Sequence, residues 1–130
     1  MSKGLKYDQK KPPLDLLTLE FLEGTANALA YGAEKYGRHN FKQGIEHARL
    51  IAAALRHINQ YNAGEDLDPE SGESHLSHAA ASLNMLMWMI KHKPELDDRY
   101  NNNQSQQLPT IIVPVGTQLI GFDWPDNSTE

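Results

Sequence analysis

Apolar residues return at helical spacing along three stretches of this chain, and short polar segments rich in Gly, Pro and charge separate them. After Pro12-Pro13, the positions Leu14, Leu17, Phe21, Leu22, Ala26, Leu29 and Ala33 predict a helix from about Asp15 to Tyr36, weakened by Gly24 and Gly32 and stopped at Gly37. The segment from Arg38 to Ile45 is polar and turn-like, with Phe41 as its one aromatic residue. Leu50, Ile51, Ala54, Leu55, Ile58 and Tyr61 form the expected buried side of a second helix, from about His47 to Asn62, with Gly64 just past its end. An acidic loop from Glu65 to Glu73 leads into a third helix, from about Ser74 to His92, capped by Ser74 or Ser71 and ended by Pro94. Its apolar face is expected to be Leu76, Ala79, Ala80, Leu83, Leu86, Met87 and Ile90.

The pattern changes after the third helix. Asn101 to Gln107 (NNNQSQQ) has no apolar residue and reads as a linker, and Leu108 to Trp124 is β-branched and Pro-interrupted, which reads as an edge strand or extended arm. The expected organisation is therefore one all-α domain over residues 1–95, a helical hairpin with a preceding helix, followed by a flexible linker and C-terminal arm over residues 96–130. No internal repeat is present. Three helices of this length bury little surface alone, and the third is apolar almost all round, with Met85, Met87, Trp88 and Met89 beside three alanines. A homodimer or homotetramer is expected.

Composition narrows the function. The 130 residues are 39% hydrophobic and 22% charged, which is ordinary for a soluble domain. A formal charge of -5 argues against a sequence-independent grip on a nucleic acid polymer, yet it is compatible with a nucleotide whose phosphates a metal neutralises. The chain has no cysteine, so thiolate ligands and disulfides are excluded. MSKGLKYDQKK has no apolar run behind it and resembles neither a signal peptide nor a membrane anchor; a cytoplasmic location is expected, the host cytoplasm if the chain is phage-encoded.

Between Arg56 and His78 stand three histidines and five carboxylates. His75 and His78 are three apart on a helix's first turn, where the helix dipole disfavours protonation and leaves neutral imidazoles able to bind a metal. An isolated H-x-x-H is more often an idle surface pair. His57 shifts that balance, because an antiparallel hairpin closed by the acidic loop brings the end of its helix beside the start of the next. Carboxylates before a helix can be merely solvated, but five held close repel one another, and Arg56 cannot neutralise them all. Glu65, Asp68 and Glu70 are the catalytic candidates, and His57, Asp68, Glu70, His75 and His78 the candidate metal ligands. Asp66 and Glu73 are not ranked by spacing. Lys10, Lys11, Lys35, Asn40 and Arg56 are the candidate substrate contacts, with Lys6 and Asp8 on the same N-terminal arm, and Tyr36 or Phe41 could stack on a base. Lysines on such an arm are more often solubilising charge, and aromatics at helix ends more often core.

KYDQKKPPLDLL, AYGAEKYGRHNF, AALRH, GEDLDPESG and SHLSHAAASLN together resemble the N-terminal dATP/dGTP diphosphohydrolase family of phages, which includes the MazG-like enzymes called MazZ. The likeness runs from about Leu5 to Met89. It implies an all-α MazG-like fold, a divalent metal such as Mg2+ or Mn2+, and hydrolysis of a purine deoxynucleoside triphosphate to the monophosphate and pyrophosphate. In phages that replace adenine by 2-aminoadenine, the product dGMP would feed synthesis of that base. The wider MazG pattern places E-x-x-E on one helix and E-x-x-D on the next. Here Glu20-x-x-Glu23 and Glu65-x-x-Asp68 match only as strings, while alignment by helix sets Ala54-x-x-His57 and His75-x-x-His78 in those places. The metal set must therefore differ, with the acidic loop supplying carboxylates and Glu34 as a further candidate. The resulting expectation is a metal-dependent pyrophosphohydrolase acting on dGTP, with GTP and dATP as further substrates. The alternatives are another His/Asp phosphohydrolase acting on nucleotides, and a non-catalytic helical binding module.

Overall fold

Residues 2–100 are described by a computed structural model of the chain. Three α-helices account for its regular structure, α1 (Leu19–Tyr36), α2 (His47–Asn62) and α3 (His75–His92), with short 3-10 turns at Leu14–Leu16, Asn40–Gln43 and Pro94–Leu96. The described residues contain no strand, only an isolated antiparallel bridge between Leu67 and Ser74. The fold class is all-α, as the hydrophobic periodicity predicts. The expected linker and C-terminal arm from residue 101 onward lie outside the described residues.

Helix α1 starts four residues later than the periodicity predicts. Leu17 is extended, and Thr18 caps the helix by accepting the Phe21 N–H at 3.2 Å, so Leu14–Leu16 is left as a separate turn after the proline pair. Gly37 ends α1 with φ 93°, a conformation costly for any residue with a Cβ. Helix α2 has the bounds the sequence predicts. The Ala48 N–H at its start is received by Asp98 Oδ1 at 2.8 Å, and buried His47 lies 3.2 Å from the Lys93 carbonyl. Residues past Pro94 are thus tied back to α2, and the compact unit extends to Arg99, four residues beyond the expected end of the domain. Ser74 caps α3 through Leu76 N–H at 3.0 Å, and the break at Lys93 precedes Pro94 as expected.

Helix α3 is the central element, packed against both α1 and α2. Its buried positions are His75, Ala79, Ala81, Ser82 and Met89, and those facing it include Thr25 and Ala28 of α1 and Leu50 and Ala54 of α2. Small side chains predominate, so the helices approach closely, and a Cβ at Gly24 would stand 2.4 Å from Ser77 Oγ. The large apolar residues expected to be buried mostly are not. Leu55, Ile58 and Tyr61 of α2, and Leu76, Leu83, Met87 and Ile90 of α3, are exposed, Met87 by 70%. Two neighbours cover only part of α3's circumference, and the part they cover holds alanines, a serine, a histidine and Met89. Periodicity identified an apolar helix without identifying which sector one chain would cover.

Met89 is the largest fully buried apolar side chain, at 0% exposure. Met89→Ala is expected to destabilise the fold by about 2–5 kcal/mol, because the cavity closes only partly; the shift of the chemical denaturation midpoint measures it.

Candidate metal and phosphate site

The end of α2, the acidic loop and the first turn of α3 meet at an open cleft of about 670 Å³ lined by Arg56, His57, Gln60, Glu65, Asp68, Pro69, Glu70 and His75. The loop is built, not loose. Asp68 N–H donates to the Glu73 carbonyl at 2.8 Å, Gly72 N–H to the Asp68 carbonyl at 2.7 Å and His75 N–H to the Asp66 carbonyl at 3.1 Å. Gly64 and Gly72, at φ 106° and 78°, make the reversals that fold the loop back onto the helices. Asp66 and Glu73, which spacing does not rank, serve this turn through their backbone.

His75 lies at the centre, 2% exposed. Its Nε2–H donates to Glu65 Oε1 at 2.7 Å, since an ionised carboxylate can only accept. That bond fixes the proton of a neutral imidazole on Nε2 and leaves a lone pair on Nδ1, which stands 2.9 Å from His57 Nδ1. Burial, with the nearby His78 and His75 as smaller causes, holds the His57 imidazole below its ordinary pKa and favours its neutral form. Asp68 completes the group, with one donor atom from each of His57, Asp68 and His75 lying within 4.8 Å of the others. Burial pushes the Asp68 carboxyl up, but hydrogen bonds from Ser71 and the neighbouring His78 and His57 outweigh it and hold the group below its usual range. The Ser71 N–H bond to Asp68 Oδ2 is 2.8 Å long.

Two imidazoles and a carboxylate are a donor set able to hold a divalent cation. Ligands at right angles, with bonds of about 2.1 Å, stand about 3.0 Å apart, and the two facing Nδ1 atoms are 2.9 Å apart. Two nitrogens and a carboxylate oxygen suit manganese or a similar ion better than magnesium, which prefers oxygen alone.

The other candidate residues fall in different places. His78 stacks on His57 with ring centroids 4.7 Å apart, while its Nε2 lies 2.6 Å from Ser71 Oγ and 3.9 Å from Asp68 Oδ2. It belongs to the cluster but not to the three-donor group. Glu70 lines the cleft but is held from α1, by the Tyr31 hydroxyl and by Lys35 Nζ at 3.1 Å. These bonds, from Tyr31 first and Lys35 second, keep Glu70 below its usual carboxylate pKa. Arg56 is in the cleft lining; Lys10, Lys11, Lys35, Asn40 and Glu34 are not, and Lys35 meets the cleft through its bond to Glu70. Phe41 packs edge-on against Trp88, ring centroids 5.7 Å apart, so it is part of the helix packing and not a free stacking surface.

Sequence reasoning passed over Tyr31, Ser71 and Gln60. Tyr31 also meets the His78 ring edge-on at 5.9 Å, and its position four residues before Lys35 was the available signal, since i, i+4 side chains share a helix face. Ser71 Oγ lies beside His78 Nε2 and accepts the Glu73 N–H at 3.1 Å. Ser71→Ala removes both contacts and the hydroxyl's hydrogen bond to Asp68, but keeps the backbone bond to Asp68. It is expected to lower stability by about 0.5–1.5 kcal/mol and to speed amide exchange in the loop, both readable by hydrogen–deuterium exchange and thermal denaturation.

Residues 1–99 match the protein family described as "dATP/dGTP diphosphohydrolase, N-terminal". A curated relative, the dATP/dGTP diphosphohydrolase of Salmonella phage PMBT28, is 42% identical over 96 residues, which are 74% of this chain and 33% of that protein. The chain thus spans about a third of the length of the curated relative it matches. No solved structure matches. With the match covering the three helices, the acidic loop and all of the clustered histidines and carboxylates, the chain belongs to the family described as "dATP/dGTP diphosphohydrolase, N-terminal".

Proposed function

We propose that this chain carries a divalent-metal site for hydrolysis of purine deoxynucleoside triphosphates, with dGTP as substrate and dATP and GTP as further candidates, giving the monophosphate and pyrophosphate. The observation that carries the reading is the convergence of one ring nitrogen each from His57 and His75 with an Asp68 oxygen, at residues that line one cleft. The name of the phage relative supports the substrate class.

In this reading His57, Asp68 and His75 hold the cation, Mn2+ or Mg2+, whose chemistry is to neutralise phosphate charge and make water a better nucleophile. Water oxygen forms a bond to the α-phosphorus, the bond from that phosphorus to the bridging oxygen breaks, and one proton is released with pyrophosphate. Glu65 is a positioning residue that acts through the His75 ring, and Ser71 one that aims Asp68. Arg56 meets phosphate from the cleft wall. Lys10, Lys11 and Asn40, which do not line the cleft, could reach substrate only if their segments moved over it.

His75→Ala and Asp68→Asn are each expected to weaken Mn2+ binding at least about tenfold and to lower turnover further, while helicity persists. Calorimetric Mn2+ titration, circular dichroism and product identification with each dNTP check this. Release of inorganic phosphate or triphosphate in place of pyrophosphate would mark a different phosphohydrolase, and wild-type chain that binds no Mn2+ would mark a binding module.

We also propose that the chain assembles as a homodimer or homotetramer through the apolar sectors of α2 and α3 that a single copy leaves open, Leu55 and Ile58 on one and Leu83, Met87 and Ile90 on the other. Among the described residues no helix is long and apolar enough to cross a membrane. Light scattering of the full chain should give at least twice the mass of 14.6 kDa. A stable monomer at micromolar concentration would remove the proposal.

A further inference from the structure

Glu70 differs from the other carboxylates of the cleft in how it is held. Asp68 is fixed within the loop by the Ser71 N–H, and Glu65 accepts from the His75 ring across the hairpin. Glu70 instead receives both of its partners from α1. Tyr31 and Lys35, one helical turn apart, donate to the same oxygen, Oε2. A phenol and an ammonium aimed at one anionic oxygen form the kind of donor pair that a phosphate oxygen takes, and Lys35 acts there as a point charge. Arg56 lines the same cleft.

We propose that Tyr31 and Lys35 form an anion subsite for the polyphosphate group of a nucleotide, and that Glu70 is its resident carboxylate, displaced when the polyphosphate enters. The identity of the ligand as a nucleotide rests on the function proposed above.

Three features make Glu70 the displaceable group. Its side chain is 65% exposed and that of Lys35 is 43% exposed, so water and salt screen the pair and hold it weakly. A polyphosphate brings more negative charge than one carboxylate to the same donors. Glu70 also takes both of these side-chain bonds from α1, so its release breaks none of the backbone hydrogen bonds that shape the loop. The consequence is selectivity: a lone phosphate gains little by replacing a carboxylate, while a longer phosphate chain can also reach Arg56 and the rest of the cleft. Glu70 is then a gatekeeper of binding and not a metal ligand, which accords with its absence from the three-donor group.

The test is calorimetric binding of pyrophosphate to the full chain in buffer with a metal chelator. Glu70→Gln, which keeps the size but loses the charge, should bind pyrophosphate about two- to fivefold more tightly than wild type, the gain available from removing an exposed ionic competitor. Tyr31→Phe or Lys35→Met added to Glu70→Gln should abolish that gain, and dGTP should follow the same order. Each donor change is small and near the surface, circular dichroism reports on the fold, and either one suffices. Unchanged or weaker binding by Glu70→Gln, or a gain that survives both donor changes, overturns the proposal. Because the readout is binding without metal, a chain that hydrolyses no dGTP would refute the proposed function while leaving the pyrophosphate result to stand or fall by itself.

Discussion

The two-sided hydrogen bonding of buried His75 is the constraint on which the rest of the site depends. One ring nitrogen is bound by Glu65 from the end of α2's following turn and the other faces His57 from α2 itself, so a single imidazole at the start of α3 joins helix, loop and helix. A polar ring at 2% exposure is costly without partners, and the partners are supplied only if the loop returns at the right length. The bonds from His75 N–H to Asp66 and from Asp68 N–H to Glu73, with the Leu67–Ser74 bridge, set that length. Stability of the hairpin and readiness of the cleft are therefore one requirement.

Close approach of the helices follows from the same economy of side chains. Ala28, Ala54, Ala79 and Ala81 make up most of the buried apolar residues, and only Leu50 and Met89 are large. Such packing brings the backbones near one another and holds α1 close enough to α3 for Tyr31 to touch both His78 and Glu70. It also leaves Leu55, Ile58, Leu83, Met87 and Ile90 on the outside. A thin core with a rich apolar exterior is what a subunit of an assembly would have.

The carboxylates at the cleft are kept from repelling one another by three separate means. Glu65 is paired with a ring N–H, Asp68 with the backbone and hydroxyl of Ser71, and Glu70 with a phenol and an ammonium from another helix. These attachments grade from the well-shielded Asp68 to the solvent-washed Glu70, whose side chains are 19% and 65% exposed. Groups of the same charge and loop thus acquire different freedom.

The sequence by itself determined the three helices, because apolar period, Gly37, Pro94 and the caps are local signals, and the bounds of α2 and the end of α3 followed from them. It also pointed to a meeting of His57, His75 and His78, since a hairpin with one loop brings the end of one helix beside the start of the next, and the three rings do lie together. Tertiary structure decided what no local pattern carries. Which sector of α3 is covered depends on where α1 crosses it, so the buried stripe became His75, Ala79, Ser82 and Met89 in place of the leucines. Which carboxylate faces the histidines depends on hydrogen bonds within the loop, which turned Asp68 inward and gave Glu70 to Tyr31 and Lys35. Tyr31 lies 39 residues from its partner Glu70, a separation at which residue spacing says nothing and only the packing of one helix against another brings two side chains together.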